Sequence, residues 1–138
     1  MKKIDRIATV YALLAGACDG LTGLMLLAAP VFTLKLMGIA TVPTEPVYMQ
    51  WIGAFVFSVG SSYFLPFLSS TPTTRRRRAI GVLEFTAYIR LVIAAFTAIA
   101  ILRGLLDPAW IAVTLTDLIL ASVQITLLKL GAFQAGGK

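Results

Sequence analysis

Residues 80–102 read IGVLEFTAYIRLVIAAFTAIAIL, an apolar run in which Glu84 and Arg90 are the only charged side chains. A helix rises about 1.5 Å per residue, so a run of about 20 apolar residues crosses the roughly 30 Å hydrocarbon core of a bilayer. The run therefore predicts a membrane-spanning helix that carries an arginine near its middle.

Three further apolar runs of similar length flank this one. They cover approximately residues 7–29, 47–68 and 110–130. The connections read TVPTEP, SSTPTTRRRR and RGLLDP, and each contains proline and polar residues that favour a loop. Such short connections make sequential helices antiparallel. The expected fold is all-α, an integral membrane four-helix antiparallel bundle in which residues 1–138 form a single transmembrane domain.

The composition supports a membrane protein and excludes several kinds of site. Hydrophobic residues make up 59% of the chain and charged residues 13%. The chain contains no histidine and one cysteine, which removes most zinc, haem and iron–sulfur chemistry, so no cofactor is expected. The net charge of +6 is interpreted as topology anchors, and no nucleic-acid partner is expected.

Most basic residues in the loops and at the ends of the chain fall on one side of the predicted bundle. They are Lys2, Lys3, Arg6, the arginines at 75–78, Lys129 and Lys138. On the other side, Lys35 and Arg103 are matched by Glu45 and Asp107. The positive-inside rule then places both termini in the cytoplasm, in a multi-pass protein of the inner membrane whose partners include membrane lipids.

Of the 12 basic and 6 acidic residues, the loops and termini account for all except Asp19, Glu84, Arg90 and Asp117. A charge at the centre of a bilayer costs about 2.5–3.5 kcal/mol, so each needs a partner or water. Glu84 lies near the cytoplasmic end of its run, where a structural or topological role is expected. Asp19, Arg90 and Asp117 fall at similar depths, which predicts a buried charged centre.

One guanidinium between two carboxylates leaves one carboxylate without a full counter-charge. Arg90 keeps one acid ionised and the other is expected to hold a proton, an arrangement suited to acid/base chemistry. Asp19 and Asp117 would exchange the roles of proton donor and acceptor. A buried ion pair that only fixes the packing of the helices is an equally open interpretation.

Polar and small residues recur three and four positions apart on each helix, on the face that carries the charges. The candidate ligand-binding residues on these faces are Thr22, Gln50, Phe57, Thr114 and Gln124. The expected function is to bind or act on a small lipophilic molecule, as an isomerase, cyclase or hydrolase. The glycines on the same faces are more typical of close helix packing than of contact with a ligand.

Two alternatives remain open at the level of sequence. The carboxylates could carry protons in a proton-linked transporter, which four short helices would require to be a homo-oligomer. The chain could also be an accessory or assembly subunit whose charged residues pair with another membrane protein.

The segments GLTGLMLLAAPVFTLKLMGIA, QWIGAFVFSVGSSYFL and IRLVIAAFTA resemble the DoxX-like group of small four-helix bacterial membrane proteins. The likeness covers most of the chain and rests on hydropathy and on the positions of glycine, proline and arginine. It implies the four-helix membrane fold. Some members of that group are linked to quinone or sulfur redox complexes, so the resemblance implies that such an accessory subunit would belong to a membrane redox complex.

Overall fold

A computed structural model describes residues 2–134, so that Lys138 lies outside the described part of the chain. Within those residues the fold is all-helical and has no strand, as the sequence predicts. The helices are α1 (Lys3–Ala28), α2 (Pro30–Leu36), α3 (Pro46–Ser62), α4 (Pro72–Leu102) and α5 (Ile111–Lys129). Two 3-10 turns, Leu65–Leu68 and Pro108–Trp110, precede α4 and α5.

Three of the described helices are long enough and apolar enough to cross a membrane. They are α1, α4 and α5 together with the 3-10 turn before it, Pro108–Lys129. α3 is shorter, with 17 residues, and ends at Ser62, whereas the apolar run continues to residue 68. Pro66 explains the difference, because proline lacks an N–H and its ring clashes with the preceding helical turn.

α4 begins at Pro72, eight positions before the apolar run, so the arginines at 75–78 are helical and do not lie in the expected loop. The Thr71 side chain accepts a hydrogen bond from the Thr74 N–H at 3.3 Å and caps the helix, and Pro72 occupies its first position. Arginine is also a good helix former. Hydropathy marks where a helix leaves the hydrocarbon, and here the helix itself starts earlier.

α1 and α3 pack as an antiparallel pair whose backbones touch at glycines. A Cβ added to Gly23 would lie 2.4 Å from the backbone nitrogen of Phe57, and one added to Gly60 would lie 2.3 Å from that of Gly20. Contacts this short leave no room for a side chain. The glycines on these two helices therefore serve close packing, as small residues do between membrane helices.

α4 and α5 form a second antiparallel pair, joined by polar contacts. The hydroxyls of Thr97 and Thr114 share a hydrogen bond of 2.7 Å, and the Gln124 amide donates to the Thr86 hydroxyl at 2.6 Å. Residue numbers rise along α4 as they fall along α5, which defines the direction of the pairing. This pair brings the middle of α4 against the first half of α5.

Large apolar side chains cover the outside of the molecule, while alanine, glycine and threonine predominate among the buried residues. Trp51 is 75% exposed and Leu102 is 86% exposed. An apolar exterior around a small and partly polar interior is the reverse of a soluble domain and fits a lipid environment.

Candidate functional site: a buried Asp–Arg–Asp centre

Arg90 joins three helices at the centre of the molecule. It projects from the middle of α4 and is 4% exposed. Its Nη1 donates to Oδ1 of Asp117 on α5 at 2.6 Å, and its Nη2 donates to Oδ2 of Asp19 on α1. The three charged residues that the sequence places at similar depths are therefore in direct contact. Glu84, by contrast, is exposed on α4.

The centre contains one basic and two acidic side chains, all largely shielded from the surroundings. The side chains of Asp19 and Asp117 are 15% and 14% exposed. One oxygen of each carboxylate accepts a hydrogen bond from Arg90, and the other oxygen takes no part in these two bonds. Arg90 Nε is buried and has no partner among the described residues. Beyond the two bonds of the triad, the centre thus holds one buried donor, Arg90 Nε, and one further oxygen on each carboxylate.

A cavity of about 520 Å³ reaches this centre from the space between α3 and α4. Asp19, Arg90 and Asp117 all line it. Apolar side chains form the remainder of the wall, chiefly Trp51 and Phe55 of α3 and Ile93 of α4. The volume lies within the range of small-molecule pockets in proteins, and an apolar wall with a few converging polar groups is their usual character.

Thr114 and Gln124 are buried close to the centre without lining this cavity. The Thr114 hydroxyl shares a hydrogen bond with that of Thr97, and Thr97 does line the cavity. Gln124 belongs to a separate network, in which its Nε2 donates to the Tyr63 hydroxyl at 2.9 Å and to Thr86. Both residues connect helices through these hydrogen bonds, and Gln124 Oε1 is buried without a partner among the described residues.

The other candidate ligand residues lie on the interface between α1 and α3. Gln50 Nε2 donates to the backbone oxygen of Leu27 at 3.1 Å and so ties α3 to α1. Thr22 is half-buried on α1, and Phe57 is 37% exposed with its backbone against Gly23. None of the three lines the cavity. The structure brings together the three charged residues and sets the five uncharged candidates apart from them.

Asp5 is a buried acid that the sequence interpretation assigned to the N-terminus. It is 2% exposed and accepts a hydrogen bond from the Phe133 backbone N–H at 2.8 Å. The signal for it was present, because Asp5 and Ala8 continue towards the N-terminus the small-residue face of α1 that carries Asp19. A complete reading of that face would have included it.

The arrangement at Arg90 suits the exchange of a proton between a carboxyl group and a bound molecule, with the guanidinium as a fixed counter-charge. Among residues 2–134, no group of three or more histidine, cysteine, aspartate or glutamate side chains is placed to hold a metal ion. Comparisons with family models, with curated proteins and with solved structures gave no match.

Proposed function

We propose that the chain crosses the inner membrane four times as an antiparallel four-helix bundle of the DoxX-like kind, with both termini in the cytoplasm. α3 would be the fourth crossing. Its 17 residues span about 26 Å, near the lower limit for a membrane helix, and it packs along α1. The arginines that begin α4 and the basic residues before α1 support the orientation.

Within this bundle, we propose that the cavity between α3 and α4 binds a small lipophilic molecule. The observation that carries the proposal is that one cavity touches Asp19, Arg90 and Asp117 together. An ion pair that served only to fix helix packing would need no such space beside it. The apolar wall would hold a hydrocarbon portion, and the charged end would hold one polar group.

The chemistry that follows is carboxylate acid/base catalysis of the isomerase, cyclase or hydrolase type. The second oxygen of Asp19 or Asp117 would accept a proton from the bound molecule, and the other acid would return one to it. Arg90 would keep its two hydrogen bonds throughout, and the net charge of the centre would change by one each time a proton enters or leaves it.

Binding is testable with 11-bromoundecan-1-ol, an alcohol whose bromine quenches tryptophan fluorescence. Trp51 and Trp110 both line the cavity, so occupation should quench emission to a plateau as the alcohol is added to the protein in detergent. Asp19→Asn and Asp117→Asn should each weaken binding about fivefold to tenfold, since the hydroxyl of the alcohol would then donate to a neutral amide oxygen in place of a carboxylate.

A matched pair of variants separates the cavity from the outer surface. Ile93 lines the cavity, whereas its neighbour Val92 is 48% exposed and does not. Ile93→Phe should reduce saturable quenching, and Val92→Phe should leave it unchanged. Quenching that rises without a plateau, or that both variants alter equally, would mean that the alcohol only partitions around the protein.

A further inference from the structure

A second cavity, of about 310 Å³, lies at the end of the molecule where α1 and α4 begin. It shares no lining residue with the cavity at Arg90. Its charged lining residues are Asp5, Arg75 and Arg76. The rest of the lining is mostly apolar and includes Phe67 and Val82. A cavity lined by both charged and apolar side chains suits an amphiphilic molecule.

The length of α4 places this cavity at the level of the lipid headgroups. Its 31 residues extend over about 46 Å, well beyond the roughly 30 Å of hydrocarbon. The apolar part starts at Ile80, so the excess lies at the arginine-rich beginning of the helix. In a membrane, Arg75 and Arg76 then lie where lipid phosphates are most concentrated.

The charged side chains of this cavity are only partly engaged with one another. Nη2 of Arg76 is 4.0 Å from Oδ2 of Asp5, which is too long for a hydrogen bond. Nη2 of Arg75 donates to the backbone oxygen of Ser69 at 3.4 Å, a long bond. Asp5 itself is held by its other oxygen, through the Phe133 N–H. Most donors of both guanidinium groups are therefore available to a ligand.

We propose that this cavity binds one phospholipid with a single negative charge and a hydroxyl-bearing headgroup, of the phosphatidylglycerol type. Two arginines and one aspartate leave one positive charge, which one phosphodiester balances. The phosphate would accept hydrogen bonds from Arg75 and Arg76, and a headgroup hydroxyl would donate to Oδ2 of Asp5. An acyl chain would lie along Phe67 and Val82.

The four consecutive arginines supply a matched control. Arg75 and Arg76 line the cavity, whereas Arg77 and Arg78 do not. Diffuse attraction to an anionic membrane depends on total charge and treats all four alike. Binding in the cavity depends on the first two. Arg76→Gln and Arg78→Gln remove the same charge from positions two residues apart, so they separate the two effects.

The test is native mass spectrometry of the detergent-purified chain, titrated with dioleoyl-phosphatidylglycerol or dioleoyl-phosphatidylcholine. One phosphatidylglycerol should bind tightly per chain, and phosphatidylcholine should bind more weakly. Arg76→Gln should weaken the phosphatidylglycerol complex about tenfold, whereas Arg78→Gln should change it less than about twofold. Without added lipid, Arg76→Gln should unfold at a somewhat lower temperature than Arg78→Gln, because Arg76 is 4.0 Å from the buried Asp5 carboxylate, so lipid binding is compared at a temperature at which both variants are folded.

Three results would overturn the proposal. Equal weakening by Arg76→Gln and Arg78→Gln would assign the binding to general surface charge. Equal affinity for the two lipids would remove the role of the headgroup. Displacement of the lipid by glycerol 3-phosphate at the same concentration would mean that the cavity recognises a soluble phosphoester without acyl chains.

Discussion

Nη1 of Arg90 and Oδ1 of Asp117 lie 2.6 Å apart, in a bond that links the middle of α4 to α5 while the same guanidinium also holds Asp19. Arg90→Gln would leave two carboxylates in an apolar interior without a counter-charge. We expect this variant to lose about 3–5 kcal/mol of unfolding free energy, measured by denaturation in detergent.

The neutral triple variant Asp19→Asn/Arg90→Gln/Asp117→Asn is the control for this experiment. It removes all three charges, so no uncompensated carboxylate remains in the interior. Most of the lost stability should return, since polar groups can still form hydrogen bonds across the three helices. A triple variant as unstable as Arg90→Gln alone would contradict the charge-based explanation.

The packing of α1 on α3 predicts a strong effect from a single methyl group. Gly23→Ala places a Cβ against the backbone of Phe57, and α1 and α3 must separate to accept it. A loss of about 1–3 kcal/mol is expected, as for overpacked cores. Gly81→Ala on α4 is the control, because no atom lies within 4 Å of its added Cβ. Similar melting temperatures for the two variants would contradict the contact.

Asp107, just before the last helical segment, should make the stability of the fold depend on pH. The Ala109 backbone N–H donates to its carboxylate at 2.9 Å and lowers the pKa of that carboxyl below its ordinary value. A lowered folded-state pKa stabilises the protein above the unfolded value of about 4, and this stabilisation is lost as pH falls through the folded pKa.

Asp107→Asn keeps an oxygen that can accept the bond from Ala109 and removes the charge. The melting temperature of the parent should exceed that of Asp107→Asn at pH 6, and the gap should close as the pH is lowered through the carboxyl's pKa. A gap that is unchanged across this range would mean that the charge of Asp107 does not stabilise the fold.

The proposed four crossings predict which loops a membrane-impermeant maleimide reaches. In a Cys18→Ser background, cysteines are placed at Glu45 and Arg103 for the outer side and at Lys2 and Ser70 for the inner side. All four positions are exposed in the structure. Only Glu45→Cys and Arg103→Cys should be labelled in spheroplasts, and all four after permeabilisation. Labelling of Ser70→Cys in intact spheroplasts would contradict α3 as a crossing.

The sequence predicts the helical fold and the charged centre for a clear physical reason. Apolar runs of membrane length become helices, and a rise of 1.5 Å per residue places Asp19, Arg90 and Asp117 at similar depths. Burial in lipid then leaves these charges no better partners than one another. The contact between them follows from their number and depth, without detailed knowledge of side-chain packing.

The start of α4 and the wall of the cavity depend on features that hydropathy does not report. The cap at Thr71 extends α4 through polar residues, and hydropathy responds only to burial in lipid. Ile93 lines the cavity while its neighbour Val92 faces outwards, and only the rotation of α4 decides this. Gln124 was predicted as a ligand residue from its place on the polar face of α5, and its partner Tyr63 is so far away in sequence that this face does not reveal the hydrogen bond between them.

The link from Arg90 to both Asp19 and Asp117 also orders events during biosynthesis. A chain emerging from the ribosome contains Asp19 and Arg90 before Asp117 has been made, because synthesis runs from the N-terminus. Those first two residues form an electrically neutral pair, so α1 and α4 can settle in lipid together. α5 then brings the second acid, Asp117, into contact with Arg90, which is already paired with Asp19. Insertion of this last helix is thus the step at which a second carboxyl group meets an arginine that is already paired, and this group must enter protonated or share Arg90 with Asp19.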